Sequence, residues 1–181
     1  KFPVAFPIRP MHESRPRVAI LPVSRWHTKN WPARYYANLI ERLQMKISDI
    51  TVYLLGGSND TRICSDIEKA LLGRVINLAE RTSLVEMGSV LKEMDLLISG
   101  DSGPVHMAAA VETPALVMFG PTDPDRTGPY GDKHRIIRIT QDCQPCFSRK
   151  CKRFVVPCMC GITPDTVEKI ALEMLGKNKQ D

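Results

Sequence analysis

Asp95-Leu96-Leu97-Ile98-Ser99-Gly100-Asp101-Ser102-Gly103-Pro104-Val105-His106 is the stretch whose reading decides the fold. Leu96, Leu97 and Ile98 form a continuous apolar run with no polar alternation, which reads as a strand (Asp95 to Ser99) buried on both faces. A glycine-bearing turn follows, and Pro104 suits the opening of a helix expected over Pro104 to Val111, because a first-turn N–H has no intrahelical partner to lose. Free N–H groups and the positive end of the helix dipole favour an anion such as a diphosphate beside that turn. Gly103 lets a ligand approach the backbone closely, and His106 is placed to donate to a phosphate oxygen. The competing reading is structural: Asp101 and Ser102 cap the helix and His106 packs against it.

Outward from this unit the same alternation repeats. Val18 to Leu21 is a strand ended by Pro22, and Pro32 to Met45 is a helix with Tyr36, Leu39, Ile40 and Leu43 at helical spacing. Ile50 to Leu55 is a second strand closed by Gly56-Gly57. Ser58 or Asn59 caps the next helix, which carries Ile63, Ile67, Ala70 and Leu71. Strands follow at Val75 to Leu78, Ala115 to Phe119 and Arg135 to Ile139, with helices at Ser83 to Leu91 and Pro164 to Leu175, the last capped by Thr163. Strands alternating with helices, and apolar on both faces, define an α/β fold: a Rossmann-like, doubly wound parallel sheet covered on both sides. Ligands of such sheets sit beyond the carboxyl ends of the strands, so the loops after each strand carry the chemistry.

After the first strand comes Ser24-Arg25-Trp26-His27-Thr28-Lys29-Asn30-Trp31-Pro32. Its hydroxyls, Arg25 and Lys29 just before a helix make a phosphate clamp, while Trp31 is expected to pack the helix start. In Gly56-Gly57-Ser58-Asn59-Asp60 the glycines permit a tight turn. Asp60 either accepts from a ribose or sugar hydroxyl or simply closes a capped turn. Gly120 to Gly131 is a long Pro- and Gly-rich loop after the fifth strand, of the kind that carries function. No Walker A sequence is present and no GxGxxG follows the first strand, which speaks against ATPase and nicotinamide chemistry.

With 181 residues, 43% hydrophobic and 25% charged, the chain has the length and composition of one packed domain. No uncharged apolar run approaches the roughly 18 to 20 residues that span a bilayer. The net charge of +5 is concentrated: seven Lys or Arg face a single acid, Asp142, between Lys133 and Arg153. Such a segment suits phosphates of a nucleotide, a lipid surface or a nucleic acid, or is a solvated basic loop. The first residues lack a start methionine and a signal-peptide core, and three prolines fall within the first ten residues. Residues 1–16 are therefore expected to be a linker from an upstream domain, with 17–181 the domain itself and a Cys-rich basic loop at 142–160.

Taken in order, these loops resemble glycosyltransferase family 9, the ADP-heptose:lipopolysaccharide heptosyltransferases. The matching pieces are Ser24-Arg25-Trp26, Thr28 to Pro32, Leu55-Gly56-Gly57, Gly100 to Ala110, Thr113-Pro114 and Phe119 to Pro124. The resemblance covers roughly Arg17 to Leu175 and implies the C-terminal half of a GT-B glycosyltransferase, the half that binds the nucleotide-sugar donor. It implies that Lys29 contacts the donor phosphates with Ser24 and Arg25 beside it. It also implies that Asp101, Ser102, Gly103, Pro104 and His106 line the diphosphate and sugar site, with Gly57 and Asp60 towards the ribose. Lys29 and His106 are the residues expected to act on the leaving group. The general base, an aspartate, belongs to an N-terminal domain that nothing here matches. The implied reaction is inverting transfer of heptose from an ADP-sugar to the lipid-linked inner core, without a cofactor or catalytic metal and without nucleic acid. The implied location is cytoplasmic, with peripheral contact at the inner face of the inner membrane. The alternatives are a UDP-sugar-using GT-B transferase or epimerase domain, and a basic Cys-rich module for nucleic acid or a protein partner.

Cys143, Cys146, Cys151, Cys158 and Cys160 crowd into one segment. Their spacing is compatible with an all-thiolate metal site, with a disulfide-tied loop or with free thiols, and a catalytic role is not expected. Cys64, alone in a helical pattern, reads as a small buried hydrophobe.

Overall fold

The apolar run Leu96-Leu97-Ile98 lies in the middle of the sheet. The computed structural model describes residues 13–176, and within it Leu96–Gly100 forms β4, buried along its whole length. Around it lie β1 (Arg17–Leu21), β2 (Thr51–Leu54), β3 (Ile76–Asn77), β5 (Ala115–Phe119) and β6 (Arg135–Arg138). Among the described residues all pairings are parallel, in the order β3-β2-β1-β4-β5-β6. The chain therefore reverses its direction of travel between β1 and β4, and it is at such a switch that the loops splay apart to leave a crevice.

Alternate residues of the strands feed two cores. Val18, Ile20, Val52, Leu54, Leu96, Ile98, Leu116 and Met118 point to one face. There they meet Leu39, Ile40 and Leu43 of α1 (Ala33–Lys46), Ile67 of α2 (Thr61–Ala70), and Val167 and Ala171 of α7 (Pro164–Met174). Ala19, Leu21, Tyr53, Leu97, Ala115, Val117 and Phe119 point to the other, against Met87, Val90 and Leu91 of α3 (Leu84–Lys92) and Val105 and Ala108 of α4 (Gly103–Ala110). Fully burying a side chain of this size stabilises by about 1.5–3 kcal/mol, so both faces must be covered. This is the doubly wound arrangement read from the sequence.

Trp31 packs the start of α1, as expected: it is buried, stands edge-on to Tyr35 and Tyr36, and donates from Nε1 to the Ile162 carbonyl at 2.8 Å. Thr163 caps α7 by accepting from the Thr166 N–H. Ser83 and Glu86 close a reciprocal capping box on α3. Cys64 is buried, and desolvation pushes its thiol up to about 12, so it behaves as a small hydrophobe.

Several boundaries differ from the sequence reading. Pro32 is the N-cap of α1, and Gly103 precedes Pro104 as the first residue of α4. The helix expected from Ser58 or Asn59 starts at Thr61, after a 3-10 turn over Ser58–Asp60, and its Ala70 is exposed. β3 has two residues rather than the four of Val75 to Leu78. The edge strand β6 exposes Arg135, Ile136 and Arg138 and buries only Ile137, so the coverage expected on both faces stops short of this edge. Two four-residue helices had no clear sequence signal, α5 (Pro124–Thr127) and α6 (Pro157–Cys160). Of the expected linker 1–16, residues 1–12 lie outside the described residues, as do 177–181 of the expected domain.

His134 ties the β6 approach to the sheet: its Nδ1 accepts from the Ala115 N–H at 3.1 Å, which requires that nitrogen to be unprotonated. Desolvation lowers its pKa below the ordinary 6.5, partly offset by a hydrogen bond to the Tyr130 backbone. A depressed folded-state value means that its stabilisation is complete above pH 6.5 and is lost as the pH falls through the folded value. The thermal midpoint should therefore drop on acidification below neutrality, and His134→Asn, which keeps an acceptor but cannot titrate, should show a shallower drop. Parallel pH profiles for the two proteins would exclude this role.

Candidate functional site

The loops after β1, β2, β3 and β4 surround one cleft of about 990 Å³ at the carboxyl ends of the strands. Every site residue expected from the sequence lines it: Ser24, Arg25 and Lys29 from the first loop, Gly57 and Asp60 from the second, and Asp101, Ser102, Gly103, Pro104 and His106 from the fourth. The cleft opens at the β1–β4 switch, where the sheet order requires it.

Its organising group is the Asp101 carboxylate, which is buried at 5% exposure. Oδ2 receives Lys29 Nζ at 2.6 Å and Thr122 Oγ1 at 2.6 Å, with Thr127 Oγ1 at 3.4 Å. Three loops, after β1, β4 and β5, therefore meet on one oxygen. The sequence placed Asp101 among the residues lining the ligand site. The structure turns its carboxylate away from a capping role and commits it to Lys29, which it aims into the cleft. Lys29 Nζ also lies 4.6 Å from the centre of the Trp26 ring, and Arg149 Cζ lies 5.1 Å from the same ring.

Ser102 occupies the N-cap of α4 in an extended conformation, yet its hydroxyl makes no cap hydrogen bond and pairs instead with Ser99 Oγ at 3.0 Å. No side chain caps the first turn of α4 on the wall of the cleft; Pro104 has no N–H and the Val105 N–H turns to the Ser102 carbonyl at 3.2 Å, so the Gly103 N–H and the positive end of the helix are what favour an anion there. A Cβ built at Gly103 would touch no protein atom, so packing does not explain this glycine. His106 is exposed on the first turn and faces the cleft rather than packing. The structural reading of this turn as a self-capped helix start is therefore set aside.

Asp60 resolves differently. Its Oδ2 accepts from the Gly57 N–H at 2.8 Å, so the capped turn is present, while the side chain still borders the cleft. Gly56 is required for the same turn, since a Cβ there would fall 2.7 Å from Asp60 Cβ. Ser24 holds the first loop in shape by donating its N–H to Asn30 Oδ1 at 2.8 Å.

Sequence reasoning missed the wall formed by Val23, Thr82, Leu84 and Met87, and it flagged the Gly120 to Gly131 loop without singling out Thr127, which completes that wall. Among the described residues Thr82 Oγ1 is buried without a protein hydrogen-bond partner. A buried hydroxyl left in that state on a cleft wall is available to a ligand. A strand-following threonine such as Thr82 carries a weak signal in sequence, and Leu84 and Met87 look like ordinary helix residues. The basic Cys-rich segment is tied to the loops beside the site: Thr28 Oγ1 donates to the Ser148 carbonyl at 2.7 Å, and Phe147 N–H to the Pro121 carbonyl at 2.9 Å. Among the described residues no three His, Cys, Asp or Glu side chains come together in a way that would hold a metal ion, and all six cysteines are free.

A doubly wound parallel sheet with a cleft at its switch point is the Rossmann-like architecture of which GT-B glycosyltransferases are built. The sequence model of glycosyltransferase family 9 (heptosyltransferase) matches residues 5–154, and the chain belongs to that family. It is 33% identical over 132 residues to lipooligosaccharide heptosyltransferase 2 of Haemophilus influenzae, covering 70% of this chain and 38% of that protein. It is 32% identical over 141 residues to lipopolysaccharide heptosyltransferase 1 of Pseudomonas aeruginosa, covering 75% and 38%. The chain thus spans less than half the length of these relatives. Its fold is that of E. coli ADP-heptose LPS heptosyltransferase II, with a TM-score of 0.76 at 24% identity over 94% of this chain and 49% of that one.

Gly100 sits where β4 meets this site, and a Cβ there would fall 2.6 Å from the Lys29 backbone carbonyl. Gly100→Ala should therefore push the first loop outward and cost roughly 1–3 kcal/mol, read by urea denaturation. Unchanged stability would mean that the loop yields freely and is not held against β4.

Proposed function

We propose that the cleft binds the diphosphate of a nucleotide-sugar donor, ADP-heptose or a related sugar, and that the whole enzyme transfers the sugar to a lipid-linked inner-core acceptor. The observation that carries this reading is the ammonium of Lys29, held by buried Asp101 beside the uncapped N-terminus of α4. When the glycosidic bond to the diphosphate breaks, the bond electrons leave with the phosphate. Fixed positive charge and N–H groups at that point stabilise the departing anion more than the bound donor, which is the condition for accelerating transfer. Lys29, the α4 N-terminus and His106 supply that stabilisation, with Arg25 at the rim. Ser24 and Ser102 supply hydroxyls, and Gly103 and Pro104 form the surface the phosphates approach. Gly57 and Asp60 lie on the side suited to the ribose. In this reading neither cofactor nor metal is needed, because these groups neutralise the leaving group.

The acceptor hydroxyl must lose a proton to a base on the opposite side of the sugar. That role falls to an N-terminal domain, which also carries the acceptor. The reaction is inverting, nucleic acid is not a partner, and the enzyme works on the cytoplasmic side in peripheral contact with the inner membrane. Among the described residues no helix is long and apolar enough to cross a membrane.

Calorimetric titration with ADP and UDP tests the donor site. ADP is expected to bind in preference to UDP, even if as weakly as about 1 mM, which corresponds to roughly −4 kcal/mol. Lys29→Ala should lower ADP affinity roughly ten- to hundredfold, the worth of one charge-assisted hydrogen bond. Asp101→Asn should weaken it less, by releasing Lys29 from its fixed position. Affinity untouched by both substitutions would sink the assignment, and a preference for UDP would move the donor to a different nucleotide-sugar.

A further inference from the structure

Outside the cleft, the segment between β6 and α6 makes an unusual surface. Phe154 is completely exposed, at 106% of its reference area, and Val155 next to it is 54% exposed. The base of the segment is firmly attached. Gln144 Nε2 donates to the Gly120 carbonyl, Phe147 N–H to the Pro121 carbonyl and Thr28 Oγ1 to the Ser148 carbonyl. Beyond these anchors the chain turns back on itself, with Cys151 Sγ 3.6 Å from the Val155 carbonyl. Two adjacent apolar side chains are thus held out on an anchored loop instead of folding onto it.

The surrounding charge has one sign. Arg149, Lys150, Lys152 and Arg153 are all exposed, and no acidic residue lies between Cys143 and Cys160. Exposed apolar side chains ringed by Lys and Arg match the two layers of an anionic bilayer surface. The apolar tip enters the headgroup–acyl boundary, and the cations meet lipid phosphates. A single-stranded nucleic acid fits less well. Binding it by stacking needs a row of aromatic faces, and the segment's other aromatic, Phe147, already lies 5.0 Å from the Arg126 guanidinium. Val155 would contribute nothing to such stacking.

We propose that the tip formed by Phe154 and Val155, together with Lys150, Lys152 and Arg153, docks this protein on the surface of an anionic lipid bilayer. Arg149, on the same loop, lies against Trp26, whose ring also neighbours Lys29. The docked loop therefore sets the mouth of the cleft near the membrane plane. That last consequence rests on the donor reading above, whereas the lipid contact itself does not.

Vesicle flotation of the 181-residue chain tests the contact, using phosphatidylcholine alone and phosphatidylcholine mixed with phosphatidylglycerol. The chain should float with the mixed vesicles, not with the neutral ones, and added salt should release it. Phe154→Ser with Val155→Ser should weaken flotation by at least roughly tenfold, and Lys152→Gln with Arg153→Gln should do likewise. All four side chains are exposed, so the thermal midpoint and ADP titration should not move. No flotation with anionic vesicles, or flotation indifferent to both double variants, overturns the proposal. So does displacement from the vesicles by single-stranded RNA that binds through the same four residues. Lost ADP binding with intact flotation would count against the donor reading alone.

Discussion

A buried carboxylate must be paired or it destabilises the fold, and in this protein that requirement falls on Asp101. Its Oδ2 accepts from Lys29 and Thr122 and lies within reach of Thr127, groups brought from the loops after β1 and β5 to the end of β4. Removing one partner of a buried pair typically costs about 3–5 kcal/mol, because the other charge is stranded away from water. The pair consequently does two things. It joins three loops across the switch of the sheet, and it leaves the Lys29 ammonium in a single position at the entrance of α4. Gly100 completes the joint by letting the Lys29 backbone approach β4 to a distance no side chain would tolerate.

Positive charge held in this way needs no rearrangement when an anion develops beside it, which is why preorganised sites outperform water. The α4 N-terminus contributes in the same sense, because Ser102 spends its hydroxyl on Ser99 rather than on a cap. A self-capped helix would be slightly more stable and would have fewer donors to offer. The cleft therefore combines a locked cation, the positive end of a helix with no side-chain cap and, among the described residues, an unpaired Thr82 hydroxyl, on a sheet packed between two cores.

The basic Cys-rich segment links this site to the outer surface. Thr28 and Pro121 anchor it to the loops that flank the cleft, and Arg149 reaches Trp26, while Phe154 and Val155 face solvent. Among the described residues its most exposed large apolar side chain, Phe154, thus stands directly beside its densest positive charge.

The central elements were legible in the sequence because their signals are local. Continuous apolar runs marked β1, β4 and β5, apolar residues at helical positions marked α1 and α2, the Thr163 cap marked α7, and Trp31 packed as its neighbours suggested. β3 and β6 were harder, since an edge strand owes its length and exposure to how many neighbours cover it. Short helices such as α5 and α6 lack the turns needed for a periodic pattern. For the site, residue types in the strand-following loops were enough to pick out ten residues that all line one cleft. Their partners were not readable. Lys29 and Asp101 are 72 positions apart, and Thr28 and Ser148 are 120 apart. Whether Asp60 closes a turn, Asp101 orients a lysine or Ser102 caps a helix depends on which acceptor or donor lies nearest in space. The sequence by itself determined the βα units and the chemistry of their loops, because periodicity, glycine and proline act over a few residues. Only the tertiary structure decided which loops meet and what each polar group is committed to, because strand order brings together groups that the chain keeps far apart.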